Sequence, residues 1–264
     1  MTVDRGHGPP IFMIPGIQGR WEWMAPAIEA LGVRHRVLSG SLRQLGETPV
    51  ADRTFETWFA GIDALLDRAG LRQAAVAGVS FGGLIAAGYA AARPDRVSAL
   101  VLIGTPAPRW RDDHPSASYV KHPRLSVPQF VAGALGRLLP EVRSSISGWS
   151  ARVVFLARHL GRVLRYPASP TRMAACVRAW QATDIVSACR RVTAPTLIVT
   201  GEPELDRVVP VSASLEYLSL IRGARHQTLA RTGHIGLVTR PREFAALISG
   251  FLAAEQAAVT NKAG

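Results

Sequence analysis

Apolar positions along this chain fall into short runs separated by helical patterns. Pro10-Ile11-Phe12-Met13-Ile14 ends at Pro15-Gly16 and predicts a buried strand, and Arg36-Val37-Leu38 predicts a second. From Phe55 to Asp67, Phe55, Phe59, Ile62 and Leu66 recur at helical spacing on one side of an amphipathic helix. Ala74 to Val79 predicts another strand, followed by a sharp turn and a helix through Ala92 that stops before Pro94. Val97 to Ile103 and Thr196 to Val199 are further apolar strands, and Gln227-Thr228-Leu229 is a weaker one. A last helix is expected from about Arg242 to Ala254. Strands apolar on both faces, alternating with helices, predict an α/β fold: a mostly parallel sheet covered by helices on both sides. In such sheets the chemistry gathers at the carboxyl ends of the strands.

Between Thr105 and Ala194 the alternation stops, and only helical patterns remain. This predicts a helical lid, residues 106–190, inserted into a core formed by residues 1–105 and 191–264. Within it, Trp149, Val153, Leu156, Leu160 and Val163 share one helix face, with Arg158, Arg162 and Arg165 on the other. The expected arrangement has that apolar face turned inward over a substrate pocket, with the arginines in solvent. Phe130, Leu135, Leu138, Leu139, Trp149 and Trp180 suit an apolar acyl or aryl group.

Val76 to Gly83 reads Val-Ala-Gly-Val-Ser-Phe-Gly-Gly. A Gly-x-Ser-x-Gly turn between a buried strand and a helix pushes the serine oxygen out of a crowded elbow, which nominates Ser80 as a nucleophile. A serine hydroxyl needs a base, and the base needs a third group to hold its tautomer. His234, in Thr232-Gly233-His234-Ile235-Gly236 after the last strand, is the expected base, with His226 in reserve. The acid is expected after Thr196 to Val199, where Glu202, Glu204 and Asp206 compete. Asp206 is preferred and Glu204 is the alternative. Two backbone N–H groups must face the oxyanion. Phe81, at the start of the elbow helix, and Ile17, after the Pro15-Gly16 turn, can supply them. This chemistry calls for no cofactor and no metal.

Charge changes the picture little. The formal net charge is +12, and of 31 basic residues only Lys121 and Lys262 are lysines. The arginines are scattered, without the aromatic strands or recognition helix of a nucleic-acid binder, so no nucleic-acid partner is expected. They would tolerate a carboxylate on a substrate. No apolar run is long enough to span a membrane, and the first residues do not resemble a signal peptide. Cys176 and Cys189 form no motif and fit a reducing compartment. A cytoplasmic protein without stable membrane insertion is the expectation.

The constellation of Gly78-Val79-Ser80-Phe81-Gly82, the acid loop and His234 resembles the α/β-hydrolase family over nearly the whole chain, Ile11 to Leu252. The resemblance implies Ser80 as nucleophile, Asp206 as acid, His234 as base, and Ile17 and Phe81 as oxyanion donors. Gly16 and Trp23 also look family-like and join Trp149 and Trp180 as expected pocket residues. Pro15 stands where the family commonly has histidine, and Gly201 to Asp206 is longer than usual. Serine at the elbow disfavours the epoxide-hydrolase and dehalogenase branches. What remains is hydrolysis of a small ester, lactone or thioester, with a carbon–carbon bond hydrolase, an acyltransferase or a non-catalytic ligand-binding protein as alternatives. Such folds open with two antiparallel strands, and the few residues before Ile11 leave no room for a hairpin. A sheet of about six strands with the first two absent is expected, unless the start of the sequence has been misplaced.

Overall fold

A computed structural model of the chain describes residues 2–46, 54–109, 123 and 127–263. His114 and His122 lie outside the described residues, as do the side chains of Phe130 and Leu135. The strands are β1 (Thr2–Arg5), β2 (Pro10–Ile14), β3 (Arg36–Gly40), β4 (Ala74–Val79), β5 (Val97–Ile103), β6 (Thr196–Thr200) and β7 (Arg225–Thr228). They form one seven-stranded sheet in the order β1-β3-β2-β4-β5-β6-β7. Every pairing from β3 to β7 is parallel, and β1 alone runs antiparallel, against β3.

Helices α1 (Ala25–Leu31), α2 (Leu42–Leu45), α3 (Phe55–Arg68) and α4 (Phe81–Ala92) connect the first five strands. Helices α5 (Val127–Ser145), α6 (Trp149–Arg165), α7 (Pro170–Gln181) and α8 (Ile185–Arg190) fill the stretch between β5 and β6. No strand interrupts that stretch among the described residues. Helices α9 (Val211–Leu215), α10 (Tyr217–Leu220), α11 (Gly236–Thr239) and α12 (Pro241–Ala263) complete the fold.

Side-chain alternation places a separate core on each sheet face. Phe12, Ile14, Val76, Leu100, Leu102 and Ile198 pack with α3 and α4. Ile11, Met13, Ala75, Val101, Leu197 and Val199 pack with α1 and α12. Burial on both faces is why these strands read as apolar runs without polar alternation. The strand expectations at β2 to β6 agree with the observed bounds to within two residues. Helices α7 and α8 contribute Cys176, Ala179, Trp180, Ile185 and Cys189 to the same core as Phe81 and Leu84.

Two expectations are corrected here. The sheet has seven strands, because Thr2–Arg5 pairs with Val37 to Gly40. A hairpin is not needed: β1 crosses the end of β3 to reach β2 through Gly6 and Gly8, both at positive φ. A Cβ at Gly6 would stand 2.3 Å from the His35 carbonyl oxygen, so only glycine fits that return. The polar strand Thr-Val-Asp-Arg carries little pattern, and its edge is pinned instead by Arg36, which donates to both Asp4 carboxylate oxygens at 3.0 and 2.7 Å. The second correction concerns α6. Trp149, Val153 and Leu160 are exposed, and the inward face is formed by Arg152, Phe155, His159 and Arg162 together with Leu156 and Val163, so that only Arg158 and Arg165 of the three expected arginines are exposed.

Candidate active site

The site is built at the carboxyl end of the sheet, and backbone closeness dominates it. Ser80 joins β4 to α4 with φ 52° and ψ −123°, a conformation L-residues rarely adopt. The turn closes because its glycines lack side chains. A Cβ at Gly78 would meet the Gly82 carbonyl oxygen at 2.3 Å, and one at Gly82 would meet the Ile14 oxygen at 2.5 Å. The Ser80 N–H donates to the Ile103 carbonyl at 2.7 Å, which ties the elbow to β5.

The Pro15-Gly16 turn, expected to carry the Ile17 oxyanion donor, lies against this elbow. A Cβ at Gly16 would sit 3.5 Å from Ser80 Cβ and 3.2 Å from Gln18 Oε1. Ile17 follows directly, and the Gly19 N–H closes the turn on the Gly16 carbonyl at 2.8 Å. Phe81 is the first residue of α4, so its N–H belongs to the helix end that has no intrahelical acceptor.

Asp206 and His234 are brought together by two loops packed backbone to backbone. A Cβ at Gly201 would lie 2.5 Å from the Thr232 oxygen, and one at Gly233 would lie 2.3 Å from the Leu205 oxygen. Asp206 Oδ2 stands 3.3 Å from His234 Nδ1. Asp206 Oδ1 accepts from the Val208 and Val209 N–H groups at 3.0 and 2.9 Å, which fixes the carboxylate. Asp206 is buried, whereas Glu204 is exposed. Glu202 is engaged elsewhere: its Oε1 accepts from the Arg231 N–H at 2.7 Å. His226 pairs with Thr200 Oγ1 at 2.9 Å between β7 and β6, away from the loop that carries His234.

The expected pocket residues separate. Gly16 lies at the elbow. Trp23 donates from Nε1 to the Tyr166 carbonyl at 3.0 Å and meets the His159 ring edge-on, so it fastens the segment after the Pro15-Gly16 turn to the end of α6. Trp180 is buried in the core beside α4, and Trp149 is in solvent; neither lines the cleft beside Ile17. The cleft beside Ile17 is instead formed by Gln18, Gly19, Arg20, Leu42, Arg43 and Arg172, with Ser169 and Cys176.

Two site residues gave no sequence signal. Gly104, at φ 49°, leaves room for the imidazole, since a Cβ there would lie 3.2 Å from His234 Nδ1. Glu141 of α5 is 1 % exposed and sits behind the histidine loop. It accepts from the Ile235 N–H at 3.0 Å, and Thr239 Oγ1 lies 3.4 Å away. Burial pushes the Glu141 carboxyl up, opposed by hydrogen bonds from the Ile235 and Gly233 backbone and by the nearby His234. Ser144 and Ser145 extend the clamp: Arg231 donates to the Ser144 carbonyl, and Ser145 Oγ donates to the Arg231 carbonyl at 2.6 Å. An α5 helix anchored this way should hold the histidine loop. Glu141→Ala, which strands those donors, is expected to lower kcat by up to about 100-fold, the scale of a 1 Å misplacement. Glu141→Gln keeps an acceptor and should recover most of it. Equal kcat in the alanine variant and the native protein would remove Glu141 from any positioning role.

An α/β sheet with serine at the elbow after a central strand, and an acid–histidine pair on later loops, defines the serine-hydrolase class of this architecture. The sequence matches the alpha/beta hydrolase fold family over residues 9–241, and the chain belongs to that family. It is 28% identical to a 2-hydroxymuconate semialdehyde hydrolase of Pseudomonas sp. (strain CF600), over 98% of this chain and 92% of that one. It is 26% identical to a 2-hydroxy-6-oxo-2,4-heptadienoate hydrolase of Pseudomonas putida, over 96% and 92%. Among solved structures, the enol-lactonase from Burkholderia xenovorans LB400 shares the fold with a TM-score of 0.77, at 23% identity, over 96% of both chains. The protein is a hydrolase. None of its described helices is long and apolar enough to cross a membrane.

Proposed function

We propose that the protein cleaves small esters, lactones or related acyl compounds through an acyl-enzyme on Ser80. The observation that carries this reading is the 3.3 Å approach of Asp206 to His234 Nδ1, on loops beyond the same sheet end as the strained Ser80. In the proposed reaction, Ser80 Oγ attacks the acyl carbon while His234 Nε2 takes its proton. Asp206 holds the Nδ1–H tautomer and stabilises the imidazolium. The oxyanion falls to the Ile17 and Phe81 N–H groups, in the field of the α4 amino terminus. His234 returns the proton to the leaving group, and water, activated the same way, releases the acid.

Residues 106–190 act as the lid in this reading, and residues 1–105 and 191–264 as the core. Among the described residues, the cleft beside Ile17 is lined by Arg20 and Arg43 and by no carboxylate, which favours acyl compounds that carry one. The dienoate in the name of one relative points the same way. Cys176 and Cys189 are buried thiols, in keeping with a cytoplasmic setting.

Labelling by a fluorophosphonate tests the reading. The native protein should label at Ser80 and His234→Ala should not, and Arg43→Gln should raise KM for a carboxylate-bearing ester more than for its neutral analogue. A folded native protein that never labels is a binding protein rather than a hydrolase of this mechanism.

A further inference from the structure

We propose that the side-chain amide of Gln18 is a third donor to the oxyanion, beside the Ile17 and Phe81 N–H groups, a role that rests on the acyl-enzyme reading of Ser80. Residues 15–19 read Pro-Gly-Ile-Gln-Gly, so Gln18 carries the only polar side chain of the turn. Its backbone is held on both sides. The Gly19 N–H closes the turn on the Gly16 carbonyl at 2.8 Å, and the Gly19 carbonyl accepts from the Leu42 N–H of α2 at 3.1 Å.

The side chain folds back over Gly16. A Cβ built on Gly16 would stand 3.2 Å from Gln18 Oε1 and 3.5 Å from Ser80 Cβ. The missing side chain of Gly16 is thus the gap across which the amide faces the nucleophile. Gln18 is half-buried and also lines the cleft beside Ile17. Among the described residues, its amide makes no hydrogen bond to the protein. A polar group left unpaired at the edge of a cleft, one hydrogen-bond length from the nucleophile's turn, is available to a substrate.

Charge decides which end of the amide turns inward. The terminal torsion of glutamine is broad, and no protein contact has to break for Nε2 to replace Oε1. As Ser80 Oγ adds to the acyl carbon, the acyl oxygen becomes negative, so it attracts the Nε2–H and repels Oε1. That charge exists only in the tetrahedral adduct. The bond is therefore stronger there than in the bound ester, and it lowers the barrier more than it tightens binding. The amide keeps its protons throughout.

The test compares the native protein with Gln18→Ala and Gln18→Met on one neutral soluble ester, with an aryl boronic acid as the probe of the tetrahedral state. Methionine keeps the length of the side chain and removes the donor. Both variants should lower kcat by about 100-fold and weaken the boronic acid by a similar factor. KM should stay within about twofold of native, and so mark an interaction made in the transition state. Gly16→Ala crowds the amide while leaving Ser80 in ordinary contact, so it should cost much less in the Gln18→Ala background than alone. A native melting temperature in the methionine variant shows that it folds. Native kcat in Gln18→Met would reduce Gln18 to packing and overturn the proposal. So would a loss confined to KM, or a lower kcat with unchanged boronic-acid affinity. A native protein that labels with a fluorophosphonate, beside Gln18 variants at full kcat, would sink the third donor alone. One that never labels would sink the acyl-enzyme and the third donor together.

Discussion

Ser80→Ala is expected to remove nearly all turnover, by about 1,000-fold or more, while the protein stays folded. The elbow geometry is the reason. β4 and α4 meet at Ser80 with the side chain forced out by the approach of Gly78 and Gly82. Alanine keeps a Cβ at φ 52° and leaves the backbone cost unchanged. Ser80→Gly is therefore the informative companion. It should be equally inactive, yet it relieves a conformation that costs an L-residue roughly 1–3 kcal/mol. In a chain of this size that corresponds to a rise in melting temperature of a few degrees. Steady-state rates and thermal unfolding of both variants check this. Native turnover in Ser80→Ala would remove Ser80 as the nucleophile, and a lower melting temperature for the glycine variant would contradict the strain.

Asp206→Asn should lower kcat by about 1,000- to 10,000-fold, with Glu204→Gln costing about twofold or less. The difference follows from placement. The Asp206 carboxylate is buried, fixed by two backbone N–H groups, and 3.3 Å from His234 Nδ1. An asparagine of the same shape can keep either its amide oxygen on those N–H groups or its amide nitrogen away from the ring, and it carries no charge to balance an imidazolium. Glu204 is exposed on the outside of the same loop. Kinetics of the two variants on one ester decide the matter. The reverse order of effects would assign the orienting role to Glu204.

The loop between β6 and α9 shows how far the sequence could be read. Its carboxylates were legible as candidates, because an acid after that strand is what the chemistry needs. Choosing among Glu202, Glu204 and Asp206 required knowing which one the chain turns toward Gly233. Gly201 and Gly233 determine that turn by letting the two loops touch, a long-range contact that local spacing does not encode. Glu141 was illegible for the same reason. A glutamate on a helix far along the chain reads as surface charge until the fold lays it under Ile235.

Helix α6 shows the opposite failure. Its apolar residues were expected to face inward together, and the structure splits them: Leu156 and Val163 face inward, and Trp149, Val153 and Leu160 face solvent. Periodicity says which residues share a face, and it does not say which face meets the core. On α6, Phe155 stacks on His159 and His159 meets Trp23, while Trp149, Val153, Leu160 and Leu164 were left outside. β1 was missed because an edge strand needs only backbone pairing on one side, and Thr-Val-Asp-Arg supplies that without an apolar run.

By itself, the sequence determined the elements with strong local cause. Apolar runs buried on both faces made β2, β4, β5 and β6 strands of a parallel sheet, and a glycine-bounded serine made the elbow between β4 and α4. The tertiary structure alone decided which acid meets His234, that Glu141 of α5 accepts from the Ile235 N–H, and which side of α6 faces water. Those outcomes depend on contacts between residues distant in the chain, where packing and backbone closeness, rather than local pattern, set the lowest free energy.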